Sequence, residues 1–202
     1  MDKFSYAMGL SLGHNMVDSK VKDLNFEDFL EGLKTVFEDR SPVISIDEAN
    51  QVIHQYFQKV HEEHLKAEKE MSAANLIQAE QFLEQNSKEE GIRVTPSGLQ
   101  YRVLKEGQGK NPGPHSMVEC HYEGRFLNGQ VFDSSYQRQK SATFSLDQVI
   151  PGWTEGVQLM KEGSVFEFYC PPALGYGEVG IPDHIPGNSV LIFKVELLKV
   201  KS

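Results

Sequence analysis

From Ile46 to Asn86 the chain carries neither proline nor glycine. That run constrains the fold more than any other feature, because about 40 helical residues rising ~1.5 Å each make a rod roughly 60 Å long. Ser45 and Glu48 stand in an S-x-x-E capping box just after the break at Ser41-Pro42, which fixes where the helix starts. Its first half carries a stripe of Ala49, Val52, Ile53, Tyr56, Phe57 and Val60 at helical spacing. The middle, HEEHLKAEKEM, is almost wholly polar, with Glu62 and Lys66 as an i,i+4 pair. Apolar residues return at Ile77, Phe82 and Leu83. A rod with a polar waist does not fold back on one core, so it is expected to bridge two.

The segments on either side of the rod differ in texture. Of nine prolines, only Pro42 precedes Gly91. Near the start, Phe4, Ala7, Met8, Leu12 and Met16 recur at three- to four-residue steps, which predicts an amphipathic helix. Gly9 and Gly13 lie about a turn apart on it, at a cost in helix propensity. They make sense where another backbone approaches closely; a frayed N-terminus is the alternative. A second helix is predicted from an Asn25 N-cap, burying Phe26, Phe29, Leu30, Leu33, Val36 and Phe37. Two helices and half a rod are too few residues for a comfortable core. A second copy is therefore expected to cover their stripes through residues 1–60, against the alternative of a compact monomeric helical cap.

Past Gly91, which suits a helix C-cap, the period changes. Leu99, Tyr101 and Val103 alternate, as do Val118, Cys120 and Tyr122, and Val165–Cys170 and Val190–Val200 read as further strands. Only VIPGWTEGVQLM, residues 149–160, turns helical, with Trp153, Val157 and Met160 on one side. The expected class is α+β: an N-terminal all-α dimerisation domain and a long linker helix, then a twisted antiparallel sheet wrapped on one short helix. The expected domains are residues 1–45, 46–90 and 91–202.

Several patterns look chemical without carrying chemistry. Residues 175–180, GYGEVG, match the G-x-G-x-x-G fingerprint, but Pro171-Pro172 precede them and Pro182 follows, so no helix opens there to bind a dinucleotide. His61 and His64 are i,i+3 neighbours on the rod without an evident third ligand, and read as a solvated face. Cys120 and Cys170 sit in alternating apolar stretches and read as packed thiols rather than a bridge or metal pair. No metal and no cofactor are expected. A net charge of −9 without a basic stripe argues against nucleic acid as a partner. No apolar run reaches membrane-spanning length, so no membrane partner is expected. The start, MDKFSYAMGLSLGHNM, lacks a basic region followed by an uninterrupted apolar one. The expected location is cytoplasmic, with periplasm or cell surface as the alternative if a signal was removed.

Four strings fall in order and register in the last half: HYEGRFLNGQVFDSS, VIPGWTEGVQLM, ALGYG and VLIFKVELL. Together they closely resemble the FKBP family of prolyl isomerases across residues 92–202. The helical half and the rod resemble its Mip-like branch, whose members are homodimers joined at their N-terminal helices. The resemblance implies a substrate pocket of Tyr122, Phe132, Val149, Ile150, Trp153, Tyr176, Ile185 and Phe193, with Trp153 as the floor under a prolyl ring. It implies catalytic parts for Asp133, Tyr176, Phe132 and the backbone of Ile150. Asp133 either meets the twisted carbonyl carbon or orients Tyr122, and the sequence leaves both open. Ala142 stands where the family often has an aromatic, so one wall is expected to be low. The implied function is prolyl isomerisation that accelerates proline-limited folding, with chaperone activity as a V-shaped homodimer. A non-catalytic module or chaperone gripping proline segments is the alternative. Implied partners are unfolded or partly folded proteins with X-Pro bonds and the macrolides rapamycin and tacrolimus.

Overall fold

The computed structural model describes residues 1–201; Ser202, the last residue of the expected third domain, lies outside the described residues. Contacts divide the chain after Leu65. The second half of the long helix therefore groups with the sheet, rather than standing with residues 46–65 as a separate linker.

In the first unit, helix α1 spans Lys3–Asp18 and α2 spans Phe26–Phe37. Each starts where a short polar side chain accepts from the first turn: Asp2 from the Ser5 N–H, and Asn25 from those of Glu27 and Asp28. Helix α3, Ile46–Asn86, opens on the Ser45 hydroxyl, which accepts from the Glu48 N–H at 3.1 Å. Tyr56 on α3 pins the turn between α1 and α2, accepting from the Lys22 N–H at 2.7 Å and donating to the Lys22 carbonyl at 3.2 Å. The helices expected there form, but the single chain does not bury their apolar residues. No residue of 1–65 is buried, and Phe4, Phe26 and Phe37 are 74%, 71% and 87% exposed. The expected burial of the α2 stripe is thus not provided within one copy.

In the second unit the end of α3 leads through a turn into β1, Ile92–Val94. Gly91 serves that turn, with φ of +81°, five residues beyond the helix end, so it opens the strand instead of capping the helix. The other strands are β2 (Gln100–Lys105), β3 (Met117–Arg125), β4 (Val131–Ser134), β5 (Ala142–Ser145), β6 (Val165–Cys170) and β7 (Leu191–Lys201). They form one antiparallel sheet in the order β1-β2-β6-β7-β3-β4, with β5 also pairing with β3. One edge of β3 is shared: Met117–Cys120 pair with β5 and Glu123–Arg125 with β4.

Alternation decides which face is inside. Val118, Cys120 and Tyr122 of β3, Phe166, Phe168 and Cys170 of β6, and Phe193, Val195 and Leu197 of β7 point to one core. Helix α4, Pro151–Gln158, closes it with Trp153 and Val157. It sits close because it faces β6 with glycines: a Cβ on Gly156 would fall 2.7 Å from the Phe168 ring, and one on Gly152 2.7 Å from the Cys170 Sγ. Both cysteines are free and buried in this core. Burial, with the nearby Glu119 and Glu155 carboxylates, pushes each thiol up to about 12.

Candidate active site

Between α4 and the inner face of the sheet lies a cavity of about 390 Å³, lined by Tyr122, Phe132, Asp133, Phe144, Gln148, Val149, Ile150, Trp153, Tyr176 and Phe193. Its floor is Trp153, only 4% exposed. Three rings stand edge-on around it: Tyr122 at 5.3 Å and 88°, Phe144 at 5.4 Å and 78°, and Phe193 at 5.5 Å and 86°. Phe132 meets Phe193 at 5.6 Å and is backed by Phe126 at 4.9 Å. The two rings converge over a strand without a side chain, since a Cβ on Gly124 would fall 2.5 Å from Phe132 and 2.9 Å from Phe193. Edge-to-face contacts of this kind are the favoured arrangement of aromatic pairs, so the rings stabilise the cup they form.

Polar groups are few, and those around Asp133 hold one another. The Tyr122 hydroxyl donates to the Asp133 carboxylate and accepts from Arg138 Nη2 at 2.8 Å. Arg138 also pairs with Asp133 through Nη1, and its guanidinium lies 5.6 Å from the centre of the Tyr122 ring. Burial works against a charge on Asp133, but the hydrogen bonds from Tyr122 and Arg138 and the guanidinium charge outweigh it, and the carboxyl sits below its ordinary range. Burial, reinforced by the bond to Asp133, pushes Tyr122 up to about 12. Burial and then the Asp133 charge raise Tyr176 as well. Trp153 Nε1 is buried with no hydrogen-bond partner among the described residues.

Of the residues expected in the pocket, seven substrate-contacting ones and Asp133 converge on the cavity. Ile185 does not line it; it is 6% exposed, belongs to the core and bridges to Ile181. Phe144, Gln148 and Arg138 were not expected. Phe144 has the same face of β5 as Ala142, two positions on, and supplies a ring where the Ala142 wall is low. Arg138 lies in the QRQK loop five residues after Asp133, where nothing in the sequence marks it off from a solvated lysine or arginine. The cup holds no nucleophile set beside a base. What it offers is a largely apolar seat for a small ring, with one fixed carboxylate at its rim.

Comparison with known proteins identifies the family. A family model described as "FKBP-type peptidyl-prolyl cis-trans isomerase" matches residues 108–198, and one for the "Domain amino terminal to FKBP-type peptidyl-prolyl isomerase" matches residues 1–103. The chain belongs to the FKBP-type peptidyl-prolyl cis–trans isomerases. It is 37% identical over 196 residues to the FKBP-type 22 kDa peptidyl-prolyl cis-trans isomerase of Escherichia coli K12, covering 97% of this chain and 93% of that protein. The crystal structure of FkpA from Escherichia coli matches with a TM-score of 0.75 at 35% identity, over 98% of this chain and 95% of that one. A protein of Legionella longbeachae named "Outer membrane protein MIP" is 34% identical, with 99% and 85% covered. This FKBP is therefore an enzyme, which decides between the isomerase and the bare binding module. Its substrates are proline-containing chains. The cytoplasmic location expected from the start of the sequence finds no support among these relatives.

Proposed function

We propose that isomerisation takes place in the Trp153-floored cup, and that the observation carrying this reading is the Asp133 carboxylate held at the rim of an otherwise apolar seat. Rotation about an X-Pro bond breaks no bond; it has to overcome amide resonance, a barrier near 20 kcal/mol. The planar imide is more dipolar than the twisted one, so excluding water from its carbonyl favours twisting. Tyr122, Val149, Phe193 and Phe132 enclose the ring on Trp153. The Ile150 backbone N–H and the Tyr176 hydroxyl donate to carbonyls of the twisted chain, and Asp133 faces the imide carbonyl while fixing Tyr122. Such groups act by binding the twisted form more tightly than the planar one.

The chemistry predicts a level pH profile. A carboxyl already below its usual value near 4 stays ionised throughout the neutral range. With its folded pKa depressed, the stability it contributes is likewise present above the unfolded value and fades only as the pH falls through the folded one. Tyr122, at about 12, does not titrate either. The kcat/KM for a Leu-Pro peptide should therefore stay constant from pH 8 to about pH 5. A break near pH 7 would mean that an acid–base group carries the reaction and that this cup is read wrongly.

Residues 1–60 are proposed to join two copies. Gly9 and Gly13 have nothing within 4 Å of where a Cβ would lie, and they line a groove along α1 with Tyr6, Leu10 and Val17. An open glycine face beside exposed apolar rings suits the backbone of a second copy. Light scattering at micromolar concentration is expected to give twice the chain mass of 22.8 kDa. A monomer there would remove this part of the reading. Two pockets in one dimer raise the effective concentration of one for a client held by the other, which supports chaperone activity on partly folded chains. Rapamycin and tacrolimus are proposed to compete for the same cup, with Phe144 as the wall. The functional division proposed is a dimer domain in 1–45, a linker helix in 46–90 whose second half also buttresses the sheet, and the pocket-bearing isomerase domain in 91–202. A cell-envelope location is preferred, on the name of the Legionella relative alone.

A further inference from the structure

Helix α3 ends on a face that is polar where a docking helix is ordinarily apolar. Ser72 and Asn75, one turn apart, meet the loop 175–189 that carries Tyr176 into the cavity. The Ser72 hydroxyl donates to the Glu178 carbonyl at 3.1 Å, and the Asn75 amide donates to the Gly187 carbonyl at 2.9 Å. From the other side, the Asn188 amide donates to the Ser72 hydroxyl at 3.0 Å and to the Ser72 carbonyl at 3.3 Å. Both ends of the loop are thus tied to one turn of the helix. They are also tied to each other, since the Asn188 N–H donates to the Gly177 carbonyl at 2.8 Å. Gly177 is the residue after Tyr176, and the Gly180 N–H returns to the Tyr176 carbonyl at 3.1 Å.

The approach leaves no room for a side chain. A Cβ on Gly187 would fall 1.9 Å from the Glu178 carbonyl oxygen and 2.7 Å from the Ser72 hydroxyl. Side-chain amides spent on loop carbonyls fix a position more narrowly than apolar contact does, because hydrogen bonds are directional. The helix does not need this clamp to stay on the sheet. Ala79 is 1% exposed, Phe82 meets Tyr169 at 6.0 Å, and Asn86 donates to Gln100 at 2.8 Å.

We infer that Ser72 and Asn75 are positioning residues for the isomerase: they hold the base of the 175–189 loop so that Tyr176 presents its ring and hydroxyl to the bound X-Pro segment. The inference rests on Tyr176 acting in the cup as proposed above. It makes the long helix part of the catalytic framework, although neither residue lines the cavity.

The test is a double-mutant cycle in the full-length protein between Ser72→Ala/Asn75→Ala and Tyr176→Ala, read as kcat and KM for a Leu-Pro tetrapeptide, with thermal unfolding of every variant. The clamp variant is expected to lose about fivefold in kcat/KM, chiefly in kcat, and to add little to the loss in the Tyr176→Ala background. If the clamp variant loses nothing while Tyr176→Ala does, the inference fails and the reading of the pocket stands. If Tyr176→Ala turns over normally, the role of Tyr176 fails and the inference goes with it. Multiplying losses would mean that the clamp acts on the fold and not through Tyr176, which also overturns it. Should the double substitution unfold the protein, Asn75→Asp removes the donor to Gly187 without emptying space and is read in the same cycle.

Discussion

Asp133→Ala is expected to lower kcat/KM for a Phe-Pro tetrapeptide at least about tenfold while the protein stays folded. Tenfold corresponds to about 1.4 kcal/mol of lost transition-state binding, the order expected when one charge-assisted partner is withdrawn from the rim of a largely apolar site. The substitution removes the carboxylate from the rim and also the acceptor of the Tyr122 hydroxyl. Arg138 then keeps its bond to Tyr122 but loses its counter-charge. Because the Asp133 and Arg138 side chains are 39% and 50% exposed, water replaces their pairing and Tm should move little. Steady-state kinetics and a melting curve on the same preparation separate the two effects. Near-normal turnover in Asp133→Ala would leave only the rings to do the work.

Deleting residues 1–65 is expected to reduce catalysed refolding of a proline-limited protein by about tenfold or more, while changing tetrapeptide turnover less than about twofold. A tetrapeptide fills one cup, and every residue lining that cup is retained in 66–202. A refolding chain is long enough to use a second site, and it loses that site with the surface that joins two copies. Deletion of residues 1–90 should behave differently. It strips α3 from Tyr169 and Gln100, which are only 6% and 4% exposed beneath it, and it releases the 175–189 loop. That shorter form is expected to melt earlier and to lose peptide turnover as well. Equal losses in both assays for the 1–65 deletion would assign the N-terminal unit some task other than client handling.

The sequence made the helices and the pocket legible for different reasons. Helix starts are local chemistry, so Asn25 and Ser45 could be read directly as caps. The cup could be read because its rings fall in four strings whose order and spacing survive folding. Ile185 could not be placed from periodicity, because a residue next to a proline in an irregular loop has no period to say which way it points; the chain packs it into the core beside Ile181. Phe144 and Arg138 depend on β5 and a loop being brought against β3 and Tyr122, which no short-range pattern encodes. The docking face of α3 was hidden for a further reason. Apolar periodicity pointed to Ile77, Phe82 and Leu83; Phe82 does lie on the docking face, but Ile77 is 58% exposed, and the rest of that face runs through Ser72, Asn75, Ala79 and Asn86. Small and amide side chains facing loop carbonyls look, in sequence, like a solvated helix.

The central claim is that X-Pro rotation occurs on the floor of the aromatic cup, and Trp153 permits a direct test because it is the only tryptophan in the chain. In a nitrogen-15 spectrum its indole N–H gives a single cross-peak, from a buried donor with no partner among the described residues. Titration with a Phe-Pro tetrapeptide should move that peak saturably, with the same concentration dependence as the accelerated cis–trans exchange seen in the peptide's own resonances. Accelerated exchange with the Trp153 cross-peak unmoved would place the reaction elsewhere and contradict the account.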